Sequence, residues 1–167
     1  MPAITIRQAH ASDAGIVQDM LEEAATWVDA MGVVMWEEGE LAPGRVDNEI
    51  AAGLFFIADV DNDPAGVVRF QLEDRLFWPE LTQDDSAFIH RLVVRRRYKG
   101  LGVSTALMEW AISRARTMGK RYLRLDTDAS RPKLRRLYEG FGFELHSFRQ
   151  VGAYYVARYQ YPLTNRG

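Results

Sequence analysis

The sequence predicts a mixed α/β fold: one central sheet of about seven strands with helices on both faces. Three observations lead there. Strand-length segments rich in β-branched and aromatic residues alternate with stretches whose apolar residues recur at helical spacing. In the middle, "AFIHRLVV" (87–94), with no charge except Arg91, is followed by an amphipathic helix and the strand "YLRLDT" (122–127). Such a strand–helix–strand unit implies a parallel pair with a right-handed crossover. On either side, pairs of strands joined by short turns imply antiparallel neighbours.

The elements follow in order. "ITIR" (4–7) alternates as a short strand. Ser12 and Asp13 offer a helix cap, and Ile16, Val17, Met20, Leu21, Ala24, Trp27, Val28 and Met31 then line one apolar face, with Gly32 as the stop. Trp27 belongs to that face and reads as core. "VVMWEEGELAPGR" (33–45) is loop-like, and a short helix follows through Ile50. "LFFIADV" (54–60) is a strand, "DNDPAG" (61–66) a turn, "GVVRFQL" (66–72) the returning strand and "RLFWPELTQDD" (75–85) a loop. The helix from Gly102 to Met118 carries Val103, Ala106, Leu107, Trp110, Ala111, Ala115 and Met118 on one face, and Gly119 ends it. "RPKLRRLYEG" (131–140) is a helix with Pro132 in its first turn and Gly140 past its end. "FELHSF" (143–148) and "AYYVARYQY" (153–161) close the chain as strands. The order is β-α-α-β-β-β-α-β-α-β-β, read as a single domain spanning 1–167.

Composition narrows the chemistry. Cysteine is absent, which excludes disulfides, thiolate metal sites and a cysteine nucleophile. His10, His90 and His146 are widely spaced, so no metal is expected. No apolar run approaches the ~18 residues of a membrane span. The start, "MPAITIRQAH", lacks the basic and apolar regions of a signal peptide, so a cytoplasmic location is expected, with no membrane partner. The net charge of −2 hides an asymmetry: residues 1–85 hold 18 acidic and 4 basic side chains, residues 86–167 hold 5 and 17. Such a split suits one anionic and one cationic ligand. The basic residues cluster at one turn and one short helix without interleaved aromatics, so no nucleic acid is expected as a partner.

The anionic ligand has an evident place. "RRRYKGLG" (95–102) runs from the central strand into the helix. A turn there leaves backbone N–H groups unpaired at a helix start, where the helix dipole also favours an anion. Gly100 and Gly102 admit a ligand close to the backbone, and Ser104 adds a hydroxyl. Neither a Walker A loop nor a dinucleotide G-x-G-x-x-G is present.

Arg97, Gly100 and Gly102 form R-x-x-G-x-G, and Tyr138-Glu139 followed by Gly142-Phe143 ends the later helix. In these motifs the sequence resembles the GNAT N-acetyltransferase superfamily, most strongly from Phe88 to Phe143. The resemblance implies a GNAT-like sheet and acetyl-CoA as cosubstrate. It gives the pyrophosphate to the amides of Tyr98, Lys99, Gly100, Leu101, Gly102 and Val103, with Arg97 and Ser104 beside them. It gives the pantetheine arm to the backbone edge of Leu92, Val93 and Val94, where that strand diverges from 122–127. The side chains of Leu92, Val93 and Val94 read as core. Arg131, where many relatives carry asparagine, Lys133 and Arg136 are further candidates for the coenzyme phosphates.

Transfer from a thioester to an amine needs a free amine, a stabilised oxyanion and a protonated sulfur. With no cysteine and no G-x-S-x-G elbow, direct transfer in a ternary complex is expected. Tyr138 matches the family tyrosine that protonates the departing thiolate; the alternative is a tyrosine packing its helix on the sheet. His90 stands where many members carry a carboxylate base, and imidazole suits that task with an ordinary pKa near ~6.5. A packed core role is its alternative, with Glu80, Asp84 and Asp85 as other bases. The acceptor site is expected at Trp36 and Glu37, with Trp78 and Tyr154, since acids with aromatics suit a cationic amine. The implied activity is N-acetylation of a small primary amine by a monomer or homodimer. Acetylation of a protein N-terminus or lysine, and a non-catalytic acyl-CoA sensor, are the alternatives.

Overall fold

A computed structural model describes residues 2–29 and 40–163. The chain order is β1 (Ile4–Gln8), α1 (Ala14–Asp29), α2 (Pro43–Ala51), β2 (Phe55–Val60), β3 (Asp63–Gln71), β4 (Ser86–Val94), α3 (Val103–Thr117), β5 (Tyr122–Asp128), α4 (Pro132–Phe141), β6 (Glu144–Val151) and β7 (Tyr154–Pro162). Short 3-10 turns lie at Ala11–Asp13 and Arg96–Tyr98. The strands form one mixed sheet in the order β1-β2-β3-β4-β5-β7-β6. This is the predicted succession and sheet size. The chain divides into two compact units, Met1–Arg69 with Arg91–Trp110, and Phe70–His90 with Ala111–Gly167.

In the first unit β2 is buried along its whole length because both of its faces are covered. Phe55 and Ile57, with Val67 and Val93, pack against Val17, Met20 and Leu21 of α1 and Val46 and Ile50 of α2. Phe56 points the other way and meets Trp110 of α3, ring centroids 4.4 Å apart. Strand periodicity thus puts alternate residues on opposite faces, with helices on each. The β2–β3 hairpin turns on Asp61 and Asn62, both at positive φ (48° and 70°), between the paired Val60 and Asp63. That two-residue geometry starts β3 three residues earlier than the sequence reading. Pro64 is tolerated beside the bulge between Ala58 and Asp59. Asp13 accepts the His10 N–H at 2.8 Å and the Arg7 guanidinium at 2.8 Å, and Arg7 also reaches Asp59 at 2.7 Å. The Arg7 hydrogen bond holds the Asp13 carboxyl below its ordinary range, although burial opposes it.

In the second unit β4 and β5 are parallel, in register from Ser86↔Tyr122 to Phe88↔Arg124. β7 pairs antiparallel with both β5 and β6. Helix α4 runs one residue beyond Gly140, and the left-handed stop is Gly142 (φ 105°). The loop between β3 and β4 is built around Trp78, which is fully buried. The guanidinium of Arg158 lies 4.6 Å from its ring and that of Arg124 lies 5.3 Å away.

Candidate active site

The chain leaves β4 when Arg95 N–H donates to Ala65 O at 2.8 Å. It then turns through Arg96–Tyr98 and reaches α3 by way of Gly100 (φ 82°) and Gly102 (φ 83°). The Gly102 carbonyl accepts the Ala106 N–H at 2.9 Å, so the helix ladder starts there. Amides in the first turn of a helix have no helix carbonyl to bond, and the dipole makes that end positive. A Cβ placed on Gly100 or Gly102 would meet nothing within 4 Å. Open space therefore lies against a positive helix end, which fits a pyrophosphate.

The basic side chains of this turn are largely engaged elsewhere. Arg97 pairs with Asp63 at 2.7 Å, and the Tyr98 hydroxyl donates to the same carboxylate. The Arg96 guanidinium stacks 4.1 Å from the Trp27 ring centroid, and the Arg96 N–H donates to Glu23 at 3.2 Å. Trp27, read from its spacing as core, is 39% exposed. The helix face turns past the core at that point, and the indole is covered by a cation instead. Lys99 and Leu101 are exposed, Val103 is buried and Ser104 is half-buried.

Arg91 interrupts the pleat of β4 with φ 57°. A side chain in this left-handed region kinks a strand. Its buried guanidinium lies 3.6 Å from Glu40, and burial pushes it down to about 10. Just past the kink, Leu92 and Val94 are half-buried and Val93 is core. The β4–β5 ladder stops before it, at Phe88.

Immediately before the kink, His90 sits between two carboxylates. Its Nε2 lies 2.7 Å from Asp74 Oδ2, and its Nδ1 lies 3.6 Å from Asp126 Oδ1. Asp74 is fixed by its loop. Its Oδ1 accepts the Phe77 N–H at 3.0 Å, and its own N–H donates to Gln83 Oε1 at 2.7 Å. Gln83 Nε2 in turn donates to Trp78 O at 2.8 Å and Leu81 O at 3.1 Å. On α4, Tyr138 has its hydroxyl pushed up to about 12, first by burial and then by the Asp126 charge, against a smaller opposite effect from Arg131. It therefore stays protonated at neutral pH. The Phe77 ring lies 5.8 Å from the imidazole and 6.4 Å from Tyr154. The ligand atoms of Asp74, His90 and Asp126 all fall within 4.8 Å of one another, so they can share one cation.

The structure thus brings His90 and Tyr138 to the same carboxylate, Asp126. Asp74, Asp126 and Phe77 were missed by the sequence reading. Asp126 had a signal, an acid inside the largely buried strand "YLRLDT"; Asp74, in a polar loop, had none. Trp78 corrects an expectation: its complete burial against Phe88, His146 and two arginines makes it core, and its neighbour Phe77 takes the place beside His90. Two of the other candidate bases are engaged, Glu80 with Arg158 and Arg149, and Asp85 with Arg124. Asp84 is exposed. Arg131 precedes the first turn of α4, and Lys133 and Arg136 are exposed on that helix. Trp36 and Glu37 lie outside the described residues.

A mixed seven-stranded sheet, a glycine turn open at a helix start, and a histidine and a tyrosine that both lie near Asp126 are the features against which the chain's relatives can be read. Residues 15–143 match the model of the acetyltransferase (GNAT) family, and the chain belongs to that family. It is 28% identical over 140 residues to YesJ, an uncharacterised N-acetyltransferase of Bacillus subtilis (strain 168), covering 79% of this chain and 77% of the relative. A GNAT-family acetyltransferase from Listeria monocytogenes 4b F2365 superposes with a TM-score of 0.78 at 20% identity, over 94% of each chain. YncA of Salmonella typhimurium, solved with its cofactor acetyl-CoA, gives 0.72 at 18% identity, over 99% of this chain and 96% of that one.

Proposed function

We propose that this GNAT acetyltransferase moves the acetyl group of acetyl-CoA to a primary amine of a small cationic molecule, directly and in a ternary complex. The observation that carries this reading is His90, seated between Asp74 and Asp126 while Tyr138 keeps its proton beside Asp126. One group is thereby suited to take a proton from an amine, and another to offer a hydrogen bond to a sulfur.

Acetyl-CoA supplies a thioester, a reactive acyl group with a thiol as its leaving group. Of the amides expected to hold its pyrophosphate, those of Tyr98, Lys99 and Leu101 are spent within the turn on Arg95 O, Arg96 O and Tyr98 O, so the pyrophosphate falls to the amides of Gly100, Gly102 and Val103, beside the open space at the two glycines. The backbone edge of Leu92–Val94 takes the pantetheine arm by strand-like pairing. With a pKa of about 12, the Tyr138 hydroxyl is a weaker acid than a thiol, whose ordinary value is ~8.5. Its contribution is a hydrogen bond to sulfur as negative charge develops, strongest when the carbon–sulfur bond is breaking, and loss of one such donor lowers turnover on the same ~10²-fold scale as loss of an acid–base group. His90 accepts a proton from the amine, so that a nucleophilic nitrogen lone pair is present. The acidic residues of the first half favour a cationic acceptor, and a cytoplasmic location accompanies this reading.

The test is thioester consumption by the purified protein with acetyl-CoA and a panel of amines, peptides and amino acids. Free thiol and an acetylated small amine in equal amounts are expected. Acetylation of peptides alone would make the acceptor a protein. Coenzyme binding with no thioester consumption would leave an acyl-CoA sensor.

A further inference from the structure

We infer that Asp126 and His90 form a two-point ammonium subsite, in which Asp126 Oδ1 holds the acceptor's –NH3+ and His90 Nδ1, its tautomer set by Asp74, takes one of its protons. The inference rests on the acetyl-transfer reading above. It adds the residue that selects a charged amine and the residue that aims the base.

The tautomer follows from the hydrogen-bond network. An ionised carboxylate only accepts. Asp74 accepts the Phe77 N–H on Oδ1 and faces His90 Nε2 with Oδ2 at 2.7 Å, the short distance typical of a charge-assisted bond. The Nε2 hydrogen is therefore directed at Asp74, and in the neutral ring the lone pair lies on Nδ1. Gln83 holds the Asp74 backbone in turn, so the ring orientation is built into the loop between β3 and β4. An orienting carboxylate, an imidazole and a nitrogen that loses a proton repeat the logic of a catalytic triad with the amine as nucleophile.

The free side of the ring has a second acceptor. Nδ1 and Asp126 Oδ1 stand 3.6 Å apart, too far for a direct hydrogen bond but within reach of a single nitrogen that donates to both at ~2.8 Å. An ammonium carries three such hydrogens. The groups gathered with the imidazole are Asp74 from the loop, Asp126 from β5 and the Phe77 ring, while Tyr138 of α4 feels the charges of Asp126 and of Arg131, which precedes that helix. Two carboxylates against one arginine favour a cation, and Phe77 with Tyr154 offers aromatic surface to the carbon next to the nitrogen.

The step balances as follows. R–NH3+ gives one proton to Nδ1, and the exposed nitrogen lone pair forms the N–C bond to the acetyl carbon. The C–S bond breaks with its electron pair going to sulfur, and the second proton lost by nitrogen ends on that sulfur. The products are R–NH–COCH3, the free thiol of coenzyme A and the proton that His90 passes to water.

The test compares wild type, Asp126→Asn and Asp74→Asn on benzylamine and 1,4-diaminobutane, which are cationic at neutral pH, and on methoxyamine, which is uncharged. Asp126→Asn should raise KM for the two cations by about tenfold to a hundredfold, the scale of a hydrogen bond to a charged group. KM for methoxyamine should stay nearly constant. Asp74→Asn should lower kcat on the cations with little change in KM. It should affect methoxyamine less, since that nitrogen needs no deprotonation before attack. Imidazole nitrogen NMR of wild type should show the neutral His90 ring protonated on Nε2, a readout that needs no variant to fold. An Nδ1–H tautomer, or an equal KM rise for charged and uncharged amines, would overturn the inference while leaving acetyl transfer intact. Loss of wild-type activity in chelator with recovery on added Mn2+ would also overturn it, making the cluster a metal centre. Failure of wild type to acetylate any of the three amines, with peptides or no acceptor used instead, would bring down the small-amine reading and the subsite together.

Discussion

The turn from Arg95 to Ser104, proposed for the coenzyme, and the cluster around His90, proposed for the amine, are built in opposite ways. The turn works through backbone. Two left-handed glycines present a helix start to open space, and Arg96 and Arg97 are spent on Trp27 and Asp63. The cluster gathers side chains from a loop, two strands and a helix, with Gln83 holding Asp74 and Asp74 holding His90. The difference teaches where each is vulnerable. Backbone recognition tolerates exchange of its charged side chains and fails when a glycine acquires a Cβ. Side-chain recognition fails on the loss of one polar atom.

The largest effect should come from a single atom in the cluster. Tyr138→Phe should lower turnover by ~10²-fold or more, the scale of acid–base groups, with coenzyme affinity nearly unchanged by calorimetry. Its hydroxyl, raised from an ordinary value of ~10 to about 12, ionises only as pH rises through that higher value. The alkaline side of the turnover profile should therefore keep its shape up to about pH 10 in the variant, with only its height lowered. An alkaline limb near pH 9 that vanishes in Tyr138→Phe would contradict the shifted hydroxyl.

Gly102→Val should do the reverse, weakening acetyl-CoA binding by about tenfold or more. It places a branched side chain at φ 83° in the open cup, where backbone strain alone is ~1–3 kcal/mol. Turnover at saturating coenzyme should fall far less. Calorimetry beside steady-state rates separates the two, and unchanged affinity in a folded variant would remove the turn from coenzyme binding.

Gly66→Ala probes the support beneath the turn. A Cβ there would lie 2.9 Å from Val93 O and 3.0 Å from Val103 Cγ1, the first residue of α3. Overpacking of this kind costs ~1–3 kcal/mol, to be read as a lower Tm and denaturation midpoint. Wild-type stability would show that the turn yields without strain. The smallest effect should follow Arg97→Gln. Because Arg97 is exposed and already paired with Asp63, coenzyme affinity should change by less than about threefold. A larger, salt-dependent loss would show that the guanidinium leaves Asp63 for a phosphate.

The same contrast explains what was legible in advance. Glycine turns and helix starts are local. Arg97, Gly100 and Gly102 lie within six residues, and what the two glycines do depends on φ and on the helix start beside them rather than on distant partners. The order of strands and helices was legible too, because periodicity is local. Errors fell where local signals compete with burial. Trp27 shares the apolar spacing of α1 but reaches past the core to Arg96. Trp78 sits among polar loop residues yet is the largest fully buried side chain among the described residues. Nothing in "RLFWPELTQDD" tells Phe77 from Trp78, since the choice rests on which indole face two distant arginines cover.

By itself, the sequence determined the succession of elements, and it singled out a glycine turn at a helix start and two residues, His90 and Tyr138, as candidates. Only the tertiary structure decided what surrounds them. The parallel register sets Phe88 opposite Arg124, so the next residues on the same faces, two further along each strand, are His90 and Asp126. A shift of one residue would turn Asp126 to the other face of the sheet and leave the imidazole with one carboxylate. Asp74 is brought in by a loop folded around Gln83 and Trp78, 16 residues away in sequence from the ring it orients. Such proximity is set by long-range packing and strand register, and neither is written in any local stretch of the chain.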